Sequence, residues 1–391
     1  MSESPDSPGK TTDLRAAPTR RATALRQRLA ELRGPVPPHP LDARALAALA
    51  ANPGCRRRAL LDGAGVNKAA LAGALGSPSA FGQSQFAFMR GNAFEARVKA
   101  DGGAELLRLV HARLDPGAPE PRPGGILTPD LAAAGPEGRT ARTALALREV
   151  TGSGSWALLD HPMLALDVAG SPAHLEPDAV VVHPDGGWTV VEIKSFPIVD
   201  GSADPAKVGA AARQAAVYVL ALERVAAMTG EDVRVRHTVL LVCPKDFSNL
   251  PTAEAVDVRK QLSVTRRQLA RLTRIEEITQ SVPDGVSFDP DRPAEELTAA
   301  VESVGASYAP ECLAACELAF HCRERARSAE VVEQLGRSLR GELGGLRTVP
   351  DVLAAARGEA GDPADPAVAA LRRAAALRAE ALATTAPGAP R

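Results

Sequence analysis

Three charged residues in the middle of the chain have types and spacing that could do chemistry. Asp178 follows a proline and opens the apolar run AVVV, while Glu192 and Lys194 close the next run, WTVVEIK. The intervening PDGG at 184–187 is turn sequence, so the two runs read as a hairpin. Alternate residues of a strand share a face. Glu192 and Lys194 therefore point the same way, Ile193 turns into the core, and the hairpin brings Asp178 alongside. Two carboxylates and a backbone carbonyl, that of Ile193, make an oxygen site suited to Mg2+ or Mn2+. Such an ion polarises a phosphodiester and lowers the pKa of bound water, and a neighbouring lysine orients that water or stabilises developing charge. A lone E-x-K is also common as a solvated pair on exposed strands. Here the pair ends an apolar strand, where it is costly unless a function retains it.

Two further features fall in register with this segment. Gln214 and Tyr218, spaced i, i+4, share one face of a helix beyond Lys194, and the chain has only two tyrosines to place there. Upstream, the stretch Arg90-Gly91-Asn-Ala-Phe94-Glu95 sets a glutamate on a helix after a glycine, where it could add a metal ligand.

The ordered set of glycine plus acid, Pro-Asp, Glu-x-Lys and Gln-x3-Tyr resembles the RecB-type branch of the PD-(D/E)xK nucleases, over roughly residues 50–325. That branch includes the iron–sulfur exonucleases of CRISPR adaptation and the nuclease domains of helicase–nuclease complexes. The resemblance implies a restriction-endonuclease-like α/β fold, a central mixed sheet flanked by helices. It also implies metal binding by Asp178 and Glu192, a catalytic Lys194, and support of the site or the DNA by Gln214 and Tyr218. The first motif in this branch often supplies a histidine ligand, whereas this chain has Glu95; a carboxylate serves oxygen-loving metals equally. DNA, single-stranded or frayed at its ends, is the implied substrate. No Walker P-loop is present, so ATP-driven unwinding would fall to a helicase or another DNA-processing partner.

The cysteines form a second constellation. Cys312, Cys316 and Cys322 follow the nuclease-like segment with the spacing C-x3-C-x5-C, and Cys55 precedes it. Four thiolates suit a 4Fe–4S cluster. One cysteine before the core and three after it is also the order in the iron–sulfur nucleases, although their first pair more often has two residues between. A cluster here would clamp the first helices to the C-terminal ones as a structural staple. Zinc is the rival metal, but paired C-x2-C knuckles are missing. Cys243, within HTVLLVCP, reads as a buried apolar residue that could replace Cys55 as ligand. His183 and His321 have no partner at a ligand-like spacing.

These residues need elements to position them. Residues 1–40 mix Pro, Ser, Gly and charge and read as a disordered leader, whose arginines (Arg15, Arg20, Arg21, Arg26, Arg28, Arg33) could touch nucleic acid. A core follows over 41–328: helices to Arg113, an exposed loop through DPGAPEPRPGG and AAAGPEGR, then strands at TALALREV, WALLD, MLALDV, AVVVH and WTVVEIKSF. A helix is expected from about Pro205 to Thr229, then the strand HTVLLVCP and one long helix over 258–282. Residues 329–380 read as helical, with LGGLRTVPDVL resembling a degenerate helix–hairpin–helix, and 381–391 as a disordered tail.

Composition limits the alternatives. The formal net charge of −1 gives no sign of a nucleic-acid partner, so any such surface is local. No N-terminal apolar stretch or membrane-length run occurs, so a cytoplasmic protein without membrane partners is expected. In a reducing compartment, five cysteines favour metal or cluster ligation over disulfides. Three rivals stay open: a nucleic-acid binder on a nuclease fold that does not cut, a small-molecule or redox iron–sulfur protein of another class, and a structural zinc or iron–sulfur protein.

Overall fold

The computed structural model describes residues 16–78, 85–122, 124–168, 171–229, 233–270 and 275–385. Seven helices come first: α1 (Ala16–Arg33), α2 (Ala43–Ala51), α3 (Arg56–Ala64), α4 (Lys68–Ala74), α5 (Gln85–Val98), α6 (Ala100–Leu114) and α7 (Gly135–Thr151). Strands β1 (Ala157–Asp160), β2 (Leu164–Val168), β3 (Ser171–Leu175), β4 (Ala179–Val182) and β5 (Trp188–Ile193) follow. After them come α8 (Pro205–Thr229), β6 (Thr238–Pro244), β7 (Pro251–Asp257), α9 (Arg259–Ala270), α10 (Ile275–Gln280) and α11 (Ala294–Glu302). The chain closes with α12 (Ala319–Ser328), α13 (Arg337–Glu342), α14 (Val349–Arg357) and α15 (Pro366–Thr385).

A five-stranded mixed sheet of order β1-β4-β5-β6-β7 is the centre, and β2-β3 is a separate hairpin. β5 and β6 are parallel and the other neighbours antiparallel. Parallel pairing needs a crossover, and α8 supplies it. The helix packs through a stripe of small and branched residues, Ala212, Ala215, Ala216, Val219 and Leu222. β5 is buried along its whole length: Val190 joins the core under α8, while Val191 and Ile193 join the core under α5 and α6. The period-2 expectation for Ile193 therefore holds. Among the described residues no helix is long and apolar enough to cross a membrane.

Several sequence expectations change. TALALREV, read as a strand, lies in α7, because Thr143, Ala146, Leu147 and Val150 form a buried i, i+3, i+4, i+7 stripe. The same helix begins at Gly135, inside the stretch expected to be loop. β3 and β7 were not anticipated; both contain proline, and β7 is an alternately exposed edge strand. The long helix expected over 258–282 falls on α9 and α10, and residues 271–274 between them lie outside the described residues. The leader is helical from Ala16 and docks through Leu29 and Leu32, the latter fully buried. Two of its arginines are tied to the protein itself: Arg28 donates to the carbonyls of Val282 and Pro283, and Arg33 to those of Val36 and Ala64. Arg15 lies outside the described residues. Helix α15 runs on to Thr385, past the expected start of a disordered tail.

In the tail, Thr348 caps α14 and exchanges hydrogen bonds with Asp351 in a capping box, as its spacing suggested. Gly344 (φ +57°) makes the turn before it.

Candidate active site and cysteine cavity

The hairpin places the predicted trio together. Ala179 pairs with Val191, so Asp178 stands opposite the end of β5, and its Oδ2 accepts a 2.6 Å hydrogen bond from the Ile193 N–H. Glu192 and Lys194 emerge on the α8 side of the sheet. Glu192 is buried at 1% exposure, and burial, reinforced by Asp178 and opposed by Lys194, pushes its pKa up to about 7. Burial also raises Asp178. Burial works against the Lys194 charge too, but the Glu192 and Asp178 carboxylates outweigh it and hold the ammonium above the usual lysine range. Lys194 pairs with Oε1 of Glu192, while Oε2 is buried with no hydrogen-bond partner. An acceptor left dry inside a protein is costly, and a cation would relieve it.

Gln214 and Tyr218 reach back to this site from α8. The Gln214 amide donates to the Tyr218 hydroxyl at 3.1 Å, and the hydroxyl donates to the Glu176 carbonyl at 3.1 Å. Tyr218 thus holds the backbone two residues before Asp178 and is a positioning residue; Gln214 lines an open cleft beside Lys194.

Glu95 lies close enough to raise both Asp178 and Glu192 electrostatically, and its Oε1 is taken by two other side chains. It binds His161 at 3.0 Å and Lys99 at 2.5 Å, and Lys99 also reaches Asp160 at 2.7 Å. The His161 hydrogen bond, with Lys99 behind it and burial opposing, holds Glu95 down to about 2. His161 and Lys99 were missed in the sequence. The available signal was Asp160-His161-Pro162 at the end of an apolar strand. Among the described residues no set of three or more His, Cys, Asp or Glu side chains stands ready to hold a metal ion.

The four predicted cysteines line one small cavity of about 30 Å3, together with Asn52, Arg58, Tyr308 and Ala315. Cys55, and not Cys243, completes the ring; Cys243 is fully buried against Ile198, Ala211 and Leu241. Cys55 is the N-cap of α3. The cavity wall offers donors to sulfur. Asn52 Nδ2 lies 3.5 Å from Cys312 Sγ, Arg57 NH1 lies 3.3 Å from Cys322 Sγ, and Arg58 bonds Cys316. Burial pushes the Cys316 thiol up to about 12 and raises Cys322, each opposed by its arginine.

Arg57 is buried, and among the described residues its guanidinium bonds Cys322 and the Val304 carbonyl, the latter at 3.1 Å, with no carboxylate in ion-pair contact. Arg58 is paired with Asp62 at 3.0 Å and with Glu317 at 3.5 Å. Both sit in the first turn of α3, the wrong end of a helix for positive charge. A buried guanidinium without a carboxylate calls for an anion, and thiolates bound to metal would provide it.

His183 is a satisfied core residue held by Asp115 at 3.1 Å and Thr189 at 2.8 Å, and burial lowers its pKa to about 4. His321 is buried with Nε2 unpartnered and lies outside the lining of the cavity.

No protein-family model matches the chain, and neither a curated protein nor a solved structure does.

Proposed function

We propose that the chain is a Mg2+- or Mn2+-dependent deoxyribonuclease of restriction-endonuclease-like, RecB-type fold that hydrolyses phosphodiester bonds, with a 4Fe–4S cluster in the cysteine cavity. One observation carries the reading: Asp178, Glu192 and Lys194 meet at the end of β5, with the Glu192 Oε2 buried and unpartnered.

Asp178 and Glu192, with the Ile193 carbonyl, would hold the divalent ion. When bound it supplies Lewis-acid polarisation of the phosphodiester and a more acidic water. Lys194 presents an ammonium kept charged by the two carboxylates, suited to orient water or balance charge on the leaving oxygen. Tyr218 fixes the Pro-Asp entry through Glu176. Cys55, Cys312, Cys316 and Cys322 would hold the cluster, which supplies a cross-link between the start of α3 and the segment that runs into α12.

The test is a Mn2+-dependent digestion of DNA by anaerobically purified protein, with an absorbance scan of the same sample. Wild type cuts and shows the cluster band. Lys194→Ala loses about a hundred- to a thousand-fold in rate and keeps the band. Equal digestion by Lys194→Ala and wild type would overturn the reading.

A further inference from the structure

The open cleft beside Lys194 has a volume of about 280 Å3 and runs between α2 and α8. Its charged lining is Arg44 on α2, Lys207 and Arg213 on α8, and Lys194 at the end of β5, with Gln214 and Phe196 among them. Lys207, Ala210, Ala211 and Gln214 recur at i, i+3, i+4 and i+7, so one face of α8 looks into the cleft, with Arg213 at its edge. Among the described residues the Lys207 ammonium has no ion pair, and the Arg213 guanidinium has neither hydrogen bond nor ion pair. Arg213 is half-buried, and burial lowers its pKa with only Glu311 opposing from a distance. A partly dried arginine with no carboxylate in ion-pair contact is a receptor for an anion.

We infer that this cleft binds single-stranded nucleic acid, with Lys207 and Arg213 on consecutive phosphates of the strand that Lys194 acts on. This rests on the nuclease reading above and adds the path of the substrate to it. Successive phosphates are the anion that matches cations spaced along a helix and ending at the reactive lysine. Packed helices lie about 8–10 Å apart, and a groove along such a pair takes one strand, not a duplex. Phe196, next but one to Lys194, offers an aromatic face for a base.

The test is fluorescence anisotropy of a labelled oligo(dT) in EDTA, so that binding is read without cleavage. Lys207→Glu/Arg213→Glu is expected to bind about ten-fold or more weakly, and its log–log salt slope is expected to be shallower by about 1.4, two single-strand contacts. Lys207→Gln/Arg213→Gln should move the same way by less, which covers misfolding of the reversed variant. Arg108→Glu/Arg292→Glu, with the same net-charge change at exposed arginines elsewhere, should bind like wild type. Duplex binding equal to oligo(dT), or unchanged affinity and slope in both cleft variants, would overturn the inference. The two readings fail separately. Wild type that binds oligo(dT) through these residues but cuts nothing with Mn2+ removes only the nuclease reading. Wild type that cuts, with KM unchanged in both cleft variants, removes only the cleft.

Discussion

The carboxylate–lysine site and the cysteine cavity are unbalanced in opposite directions. At the end of β5 the surplus is negative: Glu192 is buried with an unpartnered oxygen, Asp178 stands beside it, and Glu95 lies near enough to raise both. Around the cysteines the surplus is donors and positive charge: Asn52, Arg57 and Arg58 each reach a different sulfur. The first imbalance suits a cation; the second suits thiolates that carry charge. A polar group buried without its match is thus informative about what is missing, and its sign tells which kind of group to seek.

The comparison breaks most visibly at the cysteines. Cys312→Ser is expected to lose the cluster band and about 4 kcal/mol of stability, the scale of a cross-link closing a very long loop. Iron analysis and anaerobic denaturant unfolding read both, and an unchanged unfolding midpoint would remove the staple role. A smaller effect sharpens the sign argument. If the sulfurs are thiolates, Arg57→Gln costs about 2 kcal/mol, the worth of a hydrogen bond to a charged group. If they are neutral thiols, the same change relieves a buried unmatched cation and raises the unfolding midpoint.

A third effect concerns pH at the other site. Burial raises Glu192 from 4.5 to about 7, so between those values the folded, metal-free protein holds a proton that the unfolded chain has released. Its contribution to stability is full below pH 4.5 and is lost as pH rises through about 7. Glu192→Gln should flatten that part of a thermal-unfolding profile recorded in EDTA. A slope that survives in the variant assigns the proton to another group.

The two regions were also legible to different degrees. The hairpin site is encoded within a few tens of residues, and strand alternation alone puts Glu192 and Lys194 on one face. The bounds of α8, Pro205–Thr229, follow from a continuous run of helix-forming residues. The cysteine cavity could be read only as a ligand count. Its donors come from far away, Asn52 and Cys312 being 260 residues apart, and nothing local marks Arg57 as more than a surface arginine. The same limit hid His161 and Lys99, which join Glu95 only through tertiary packing. Local errors had local causes. TALALREV carries strand-like residues on a helical period, and the edge strand β7, PTAEAVD, is too polar and proline-bounded to announce itself.

Ala315, between Cys312 and Cys316, lines both the cysteine cavity and the cleft beside Lys194, and its carbonyl is held by Arg58 at 2.7 Å. With Ala48 of α2, which also lines both, it is a party wall between a chamber of sulfur and a channel of cations. A bulkier side chain there would crowd both rooms at once, so neither can be remodelled at this position without the other.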